Sequence, residues 1–446
     1  MTIALPGPRR RYIGELALAL TRRPLEFLPS LQKNFGDVAA FHIGRQPIIL
    51  LSHPDQIRDV LVTNARQFHK GRGLERAQLI LGQGLLTSEG DFHLRQRRLA
   101  QPAFHRARIT AYGDTMAAYA ERHARRWVDG QVLDVSREMA AYTLAVVGKT
   151  LFDADIEGEA QEIGQALAAA IAAFNITVLP MGELLLKLPF PAARRFKRGR
   201  IRLDATIYRM IAERRSAGDD RGDLFSMLLL AHDTEGDGSG MSDRQLRDET
   251  MTLLLAGHET TANLLTWAFY LLSQNPDAEA RLHDELDALG DAPLGADDMQ
   301  RLPYARAVVA ETMRLYPPAW IVGRRALSEY AIGEARIPAR AIVLMSQWIV
   351  HRDPRWWPDA ESFQPERWLA GGSAHDPSRP RFSYFPFGAG TRVCIGEQFA
   401  WMEGTLGLAA FARRWRLRLA AGHRVVPQPI ITLRAKHGMR MVMHAR

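Results

Sequence analysis

The feature that most constrains this chain is one long helical pattern in its middle. Ser242 can cap a helix, and Gln245 three residues later completes a capping box at its start. The helical pattern runs on to Gln274, where Asn275-Pro276 ends it. About 32 residues at about 1.5 Å each make a rod of about 48 Å. Because the stretch Met251–Ala256 is strongly apolar, we expect this helix to cross the protein core.

The centre of that helix, Ala256-Gly257-His258-Glu259-Thr260-Thr261, interrupts the pattern. Glycine and threonine are poor helix formers, so their use in a buried place needs a reason. One interpretation is packing, in which Gly257 permits close approach and both threonines bond back to the preceding turn. The other is functional, in which the helix opens locally and exposes a hydroxyl and a backbone carbonyl. The residues alone favour neither interpretation.

The chain as a whole has the composition of an ordinary globular enzyme. It has 446 residues, of which 47% are hydrophobic and 24% charged. Helical patterns dominate residues 89–289, and a polar, glycine-rich segment at 233–240 predicts an exposed loop. Short strands are predicted at 38–43, 47–51, 341–345 and 430–433. We therefore expect a mainly α fold with small peripheral β-sheets, in a single domain over residues 1–446.

Cysteine content and charge narrow the possible functions. The single cysteine, Cys394, excludes an intramolecular disulfide and any zinc site with two or more cysteines, and it fits the reducing cytoplasm. No apolar run approaches the roughly 18 residues of a membrane span. The net charge of +9 is spread along the chain without a Lys/Arg tract, so nucleic-acid binding is not expected. The basic surface is either ordinary solvated charge or a docking face for an acidic protein.

A segment near the C-terminus, residues 387–396 (FGAGTRVCIG), surrounds the cysteine with glycines. Gly388 and Gly390 allow a tight turn before Cys394, and Gly396 lets another backbone come close after it. A helix is predicted from Glu397 onward. A cysteine at the start of a helix has a lowered pKa, which favours the thiolate.

Such a thiolate could serve three roles. As a nucleophile it would need a histidine, and nothing in the sequence pairs His351 or His423 with it. As a ligand it suits haem iron, which needs one protein ligand, and Arg392 could then meet a haem propionate. The third role is that of an inert buried cysteine, against which the flanking glycines and Arg392 count.

Two further short motifs carry little information alone. Glu311 and Arg314 are three residues apart on a predicted helix, so they share a face, and Pro317-Pro318 ends that helix. The other motif is Pro365-Glu366-Arg367-Trp368.

In this order, the motifs resemble the cytochrome P450 family of haem-thiolate monooxygenases. The likeness extends from the strands near Val38 to those near Ile431. The cysteine segment matches the family pattern Phe-x-x-Gly-x-(Arg/His)-x-Cys-x-Gly at every position. The Glu-x-x-Arg motif lies upstream, as in the family, and Arg367 stands where a third partner completes a buried cluster with Glu311 and Arg314. Residues 256–261 match the family's central-helix motif.

The resemblance implies that haem b lies between the long central helix and the helix after the cysteine. Cys394 would ligate the iron. Thr260 and Glu259 would be catalytic, with Thr260 orienting a water and holding oxygen while Glu259 relays protons. Arg325 is the alternative to Arg324 as a propionate partner. The haem contacts that the resemblance implies are His93, Arg97, Arg324, Arg392, Phe387, Gly388, Gly396, Ala256 and Gly257.

The family resemblance also implies partners. Electrons would come from a separate ferredoxin or flavodoxin with its reductase, and no reductase domain is expected to be fused to this chain, which we expect to be a monomer. Near Arg97, a docking face for such an acidic protein would consist of Arg95, Arg98, Arg106 and Arg108. Two other classes stay open: a haem-thiolate peroxygenase or isomerase that needs no electron partner, and a haem-free helical binding protein.

The substrate is expected to be lipophilic, by analogy a fatty acid or a terpenoid such as a carotenoid, which would be hydroxylated or epoxidised. Leu253, Ala256 and Gly257 share one helix face, and the resemblance adds Ala319, Val322 and Ile431 to the lining. Residues 163–191 would form a lid, although helix packing explains that apolar stretch equally well.

Overall fold

The computed structural model describes residues 5–9, 12, 14–153, 164, 191–218, 220–233, 238–333 and 335–446. The predicted lid at 163–191 lies outside these residues, except for Gly164 and Pro191. The helices are Glu15–Arg22 (α1), Pro24–Phe35 (α2), Pro54–Arg58 (α3), Arg72–Leu81 (α4), Gly90–Ala100 (α5), Arg106–Ala124 (α6), Val135–Phe152 (α7), Pro191–Ala217 (α8), Leu224–Leu230 (α9), Asp243–Gln274 (α10), Pro276–Asp287 (α11), Pro303–Leu315 (α12), Gln347–Val350 (α13) and Glu397–Arg414 (α14).

The strands are short. They are Val38–Ile43 (β1), Gln46–Leu51 (β2), Phe68–Lys70 (β3), Val132–Asp134 (β4), Val322–Ala326 (β5), Tyr330–Ile332 (β6), Ala335–Ile337 (β7), Ile342–Met345 (β8), Trp415–Leu419 (β9), Pro427–Pro429 (β10), Leu433–Ala435 (β11) and Arg440–Ala445 (β12). The expectation of a mainly α fold with small sheets is confirmed.

Contacts divide the chain into two compact units. The first consists of Met1–Glu75 and Ala310–Cys394, and the second of Arg76–Val309 and Ile395–Arg446. The single domain expected for residues 1–446 stays a prediction. Among the described helices, none is long and apolar enough to pass through a bilayer.

The first unit is built on a five-stranded sheet with strand order β1-β2-β8-β5-β3. Strands β1 and β2 pair antiparallel, as the sequence predicts, and β2 pairs with β8 in parallel. Buried side chains of these strands, such as Leu51 and Met345, pack with Ile57 and Val60 from the helical segment after β2. This apolar cluster also includes Phe385, so it fixes the start of the segment that leads to Cys394.

The second unit is mainly helical and is arranged around α10. This helix packs against α7 and α14, and α14 also packs against α6. Trp127, just after α6, stacks on Phe411 of α14 with 5.0 Å between ring centroids. The hydroxyl of Tyr142 in α7 donates to Met116 O in α6. The small sheets of this unit are β4-β12-β9 and the hairpin β10-β11.

The predicted ends of the central helix are confirmed. Ser242 is the N-cap, its Oγ accepts from the Gln245 N–H, and Gln245 Oε1 accepts from the Ser242 N–H at 2.8 Å. The helix is continuous over 32 residues and ends at Asn275, before a proline. Local chemistry therefore sets both ends of the element that organises the second unit.

The strand predicted at 430–433 is wrong at its first three residues, and only Leu433 lies in a strand, β11. Residues 430–432 form the turn between β10 and β11, and the Ile430 N–H donates to Thr432 O at 3.0 Å. β-branched residues favour a strand locally, but here three of them form the tip of a hairpin because helix α10 binds that tip. Ile431 is consequently a half-buried turn residue.

Candidate active site

A tight turn presents Cys394 in the first unit. The Cys394 N–H donates to Phe387 O at 2.9 Å, which closes the loop between the two residues. Gly388 and Gly390 have φ of 70° and 68°, which side chains other than glycine rarely adopt. A Cβ on Gly390 would lie 2.1 Å from Leu61 O, so the turn also needs glycine for space. The turn leaves Cys394 exposed.

His351 supports the start of this turn and is not a partner for a nucleophile. Its buried Nε2 accepts from the Phe385 N–H at 2.9 Å, and burial lowers the pKa of His351 well below its usual range. The second candidate, His423, has its Nε2 3.1 Å from Gly438 O. Both imidazoles are engaged by backbone groups, which weakens the nucleophile interpretation of Cys394.

The structure separates the two neighbouring arginines of β5. Arg325 forms an ion pair with Glu75 at 2.8 Å, whereas Arg324 donates to Gly323 O and makes further contacts of its own. Arg325 therefore has an acidic partner in the first unit, and Arg324 stays the predicted propionate partner. Arg392 ends a short 3₁₀ turn at Gly390–Arg392 and is half-buried, as is Phe387.

The first unit brings Glu311, Arg314 and Arg367 together. Arg314 binds Glu311 with two parallel bonds, Nε to Oε2 at 2.9 Å and Nη2 to Oε1 at 2.7 Å, and Arg367 Nε lies 3.4 Å from Oε1. Glu311 also accepts from the Gln364 N–H and from Trp368 Nε1. The two residues of the first pair have no exposed side-chain surface. This carboxylate is therefore saturated with donors.

Helix α5 of the second unit carries His93 and Arg97 one turn apart. His93 is buried, with Nδ1 3.3 Å from Ser88 Oγ, while Arg97 is half-buried. Gly396, which the resemblance also places at the haem, is the half-buried N-cap of α14.

Two arginines of the expected docking face are already ion-paired, which corrects that expectation. Asp233 accepts from Arg98 at 3.0 Å and lies 3.3 Å from Arg95 Nε. Asp233 is itself only 4% exposed, so the first residue of the segment predicted as an exposed loop is in fact buried. A buried carboxylate needs cationic partners, and the two α5 arginines supply them.

The centre of α10 agrees with the packing interpretation at Gly257 and Thr260, and it keeps one exposed position, Ala256. The helix does not open: Thr260 Oγ1 donates back to Ala256 O at 2.8 Å. A Cβ on Gly257 would lie 3.0 Å from Val147, so glycine permits close approach of α7. The local opening of the functional interpretation is therefore not seen in this helix, because the Thr260 hydroxyl satisfies the carbonyl that such an opening would expose. Ala256 is nevertheless exposed.

The neighbouring acid, Glu259, is buried and bound to the β10-β11 hairpin. Thr432 Oγ1 donates to Glu259 Oε1 at 2.7 Å, and Asn263 Nδ2 donates to Thr432 Oγ1 at 3.2 Å. Sequence reasoning missed Thr432 and Asn263. A signal existed for the helix side, since polar Glu259 and Asn263 stand four residues apart in an apolar helix, but the hairpin partner had none.

The candidate substrate residues fall in both units. In the second, Leu253 is 6% exposed, Ala256 is exposed and Ile431 is half-buried. In the first, Ala319 and Val322 are half-buried.

The pattern of exposure fits the haem that the resemblance implies. In the first unit, a turn with two constrained glycines holds an exposed thiol. In the second, Ala256 is exposed although its neighbour Leu255 is 5% exposed and His258 is buried. A thiol presented by a fixed turn and an alanine exposed in the middle of a buried helix are each what a flat apolar group would cover.

Known proteins agree with this assignment. A family model described as cytochrome P450 matches residues 5–438. A cyclooctatin synthase of Streptomyces melanosporofaciens is 43% identical over 440 residues, which are 96% of this chain and 93% of that relative. A cyclooctat-9-en-7-ol 5-monooxygenase of the same organism is 39% identical, covering 91% of this chain and 87% of its own. A pentalenene oxygenase of Streptomyces avermitilis is 36% identical, with 96% and 95% covered.

A solved structure shows the same fold. The retinoic acid-bound cyanobacterial CYP120A1 superposes with a TM-score of 0.88 and 24% identity, over 99% of each chain. The family match over nearly the whole chain, together with these relatives, shows that the chain belongs to the cytochrome P450 family and is a monooxygenase that uses haem b.

Proposed function

We propose that this monooxygenase oxygenates a cyclic terpenoid. The observation that carries the proposal is the exposed Ala256, a small apolar residue one turn before Thr260 on a buried helix. A methyl group at this position leaves space for a bulky ring and offers it no polar partner. The relatives named for cyclooctatin, cyclooctat-9-en-7-ol and pentalenene support the same class of substrate. Fatty acids and carotenoids are the competing classes.

We assign roles to the residues as follows. Cys394 is the thiolate ligand of the iron, and its turn fixes the direction of the sulfur. Propionate partners are His93, Arg97, Arg324 and Arg392, with Phe387, Gly388, Gly396, Ala256 and Gly257 as the other haem contacts. Leu253, Ala256, Ala319, Val322 and Ile431 contact the substrate. When bound, haem supplies the one-electron and dioxygen chemistry.

Proton supply is the task of the chain's own residues. Inserting one oxygen atom and releasing the other as water consumes protons, which must reach a buried place. Thr260 can hold a water once its hydroxyl turns away from Ala256 O, to which it donates in the structure. Glu259 has a carboxyl oxygen that no described residue engages, so it can accept a proton and pass it on.

Monooxygenases of this family take their electrons from a redox partner. We propose a ferredoxin or a flavodoxin, docking at a groove of about 970 Å³ on the second unit. Exposed Leu94 and Leu230 and the basic Arg108 line that groove. Arg106 and Arg108 would supply the uncompensated charge, since Asp233 balances Arg95 and Arg98. A monomer in the cytoplasm is the simplest setting for such an exchange.

Titration of the ferric protein tests the substrate class. A cyclic sesquiterpene, a cyclic diterpene alcohol, a long-chain fatty acid and a carotenoid are added separately, while the Soret band reports displacement of the water ligand. We expect a saturable shift with the cyclic terpenes alone. A shift with the fatty acid or the carotenoid and none with the cyclic terpenes would contradict the proposal.

Charge reversal tests the docking face. Arg106→Glu should slow reduction by an acidic ferredoxin about tenfold at low salt and less at high salt, because screening weakens the attraction. The matched control is Arg137→Glu, whose side chain is 88% exposed elsewhere in the unit. Equal rates for the two variants would contradict the assignment.

A further inference from the structure

Three residues of α10 hold the tip of the β10-β11 hairpin. Glu259, Asn263 and Trp267 lie four residues apart in sequence, so they form one strip along the helix. The first two bind Thr432, and Trp267 Nε1 donates to Leu433 O at 2.9 Å. Trp267 has no exposed surface, so its hydrogen bond to the hairpin is shielded from solvent. The hairpin tip is thereby fixed against the helix at the level of the buried acid.

The hydrogen bonds in this strip run in one direction. An amide nitrogen can only donate, so the bond from Asn263 Nδ2 uses Thr432 Oγ1 as an acceptor. The Thr432 proton is then directed to Glu259 Oε1, 2.7 Å away. The hydroxyl cannot turn round without losing both bonds. Asn263 therefore orients Thr432, and Thr432 orients the carboxyl group.

The arrangement anchors one oxygen of Glu259 and leaves the other available. No bond to Oε2 is found among the described residues, and the side chain keeps 8% exposure. No ion pair involves Glu259 in the described part of the chain either. Its titratable neighbour His258 is buried, and burial lowers the pKa of that imidazole. A neutral hydroxyl is thus the group that sets the direction of this carboxyl.

We propose that Thr432 is a positioning residue for proton delivery, acting through Glu259. The proposal rests on the relay role of Glu259 given above. Thr432 holds Oε1 so that Oε2 carries the proton in a constant direction, and Asn263 keeps the Thr432 hydroxyl in the donating orientation. Without the hydrogen bond from Thr432, the Glu259 carboxyl group rotates between several orientations. Only some of these orientations then allow it to deliver a proton.

Three variants, two at Thr432 and one at Glu259, test the positioning role of Thr432. Thr432→Val removes the donor at nearly constant volume, Thr432→Ser keeps the hydroxyl, and Glu259→Gln removes the acid. The matched control is Thr266→Val: Thr266 is 1% exposed on the same helix, and its hydroxyl donates to Ala262 O at 2.7 Å without touching Glu259. For each variant we would measure product formed per electron pair, the solvent isotope effect on turnover, and the Glu259 conformation in a crystal structure of the ferric protein.

We expect Thr432→Val to lower the product per electron pair by about fivefold to tenfold, which corresponds to the loss of one ordinary hydrogen bond. Its solvent isotope effect should rise, and Glu259 should occupy more than one conformation in the crystal. Thr432→Ser and Thr266→Val should stay within about twofold of wild type. Substrate affinity, read from the ferric titration, should be unchanged in all of them.

Two failures are distinguishable. If Glu259→Gln keeps the wild-type yield, the relay role of Glu259 is wrong and the proposal about Thr432 loses its basis. If Glu259→Gln lowers the yield while Thr432→Val matches Thr266→Val, Glu259 is the relay and Thr432 is merely structural. A single unchanged Glu259 conformation in Thr432→Val would overturn the positioning role as well.

Discussion

Two buried glutamates, one in each compact unit, have opposite surroundings. Glu311 accepts from Arg314, from a backbone N–H and from an indole, forms an ion pair with Arg367, and has no exposed surface. Glu259 accepts from one neutral hydroxyl and keeps 8% exposure. Glu311 is therefore held inside a cluster that contains two arginines, whereas Glu259 is held by a single neutral hydroxyl.

The comparison teaches how to separate a structural acid from one that we propose to relay protons. Arg314 extends the structural cluster, because it donates to the carbonyl oxygens of His351, Ala360 and Ser362 as well as to Glu311. That cluster therefore ties several loop segments of the first unit together. By contrast, the bonds around Glu259 join one helix to one hairpin turn, so their loss disturbs little besides the acid itself.

The largest expected effect is on the structural side of the comparison. Arg314→Ala leaves Glu311 with a weaker partner and three carbonyls without a donor, and should cost about 3–5 kcal/mol of unfolding free energy. Urea unfolding followed by tryptophan fluorescence measures this. The control Arg23→Ala breaks an ion pair whose side chains are 76% and 75% exposed. A loss for Arg314→Ala no greater than for this control would contradict the structural role.

The next effect, at Cys394 in the first unit, is expected in the absorption spectrum and not in the free energy of unfolding. Cys394→Ala should abolish the haem-thiolate absorption spectrum because the only cysteine of the chain is lost. The exposed thiol makes little contribution to packing, so unfolding of the haem-free protein should change by less than about 1 kcal/mol. A retained thiolate spectrum would show that the ligand assignment is wrong.

A smaller effect is expected in the second unit, at Thr260 beside the proposed proton relay Glu259. Thr260→Ala removes the hydroxyl that donates to Ala256 O, and should lower product per electron pair by about tenfold while substrate binding persists. Thr266→Val, which also deletes a hydroxyl bonded to the preceding turn, is the matched control. Equal yields in the two variants would count against Thr260.

The last effect is a pH dependence of stability that is expected in both units and is absent near neutral pH. Burial lowers the pKa of His351 well below its usual value and that of His283 to about 4. Both are neutral when folded, so stability is present above pH 6.5 and is lost as pH falls toward 4. Each should contribute at most about 1.4 kcal/mol per pH unit in that window. Unfolding midpoints of wild type, His351→Gln and His283→Gln across this range measure it, and parallel curves would refute the assignment.

Local chemistry made part of this structure predictable. The capping residues Ser242 and Gln245 and the stop at Asn275-Pro276 predict the ends of α10. The turn before Cys394 is predictable because Gly388 and Gly390 adopt positive φ without strain. The cluster of Glu311 with Arg314 and Arg367 required the family resemblance, since spacing alone is equally typical of a surface pair.

What the sequence did not reveal depends on distant contacts. Thr432 binds a residue 173 positions away, and the hairpin turn replaced a predicted strand because helix α10 holds its tip. Asp233 pairs with Arg98 135 positions away, which removed two arginines from the expected docking face. In each case a tertiary partner overrode the local preference.

The same substitution at the two glutamates tests the central comparison most directly. Glu311→Gln and Glu259→Gln are prepared in parallel, and both unfolding free energy and product per electron pair are measured. We predict that Glu311→Gln loses about 3 kcal/mol or more of stability, because it leaves two buried arginines without a counter-charge. Glu259→Gln should keep its stability within about 1 kcal/mol and lose most of its yield. Equal destabilisation by both, with the yield of Glu259→Gln unchanged, would contradict the account.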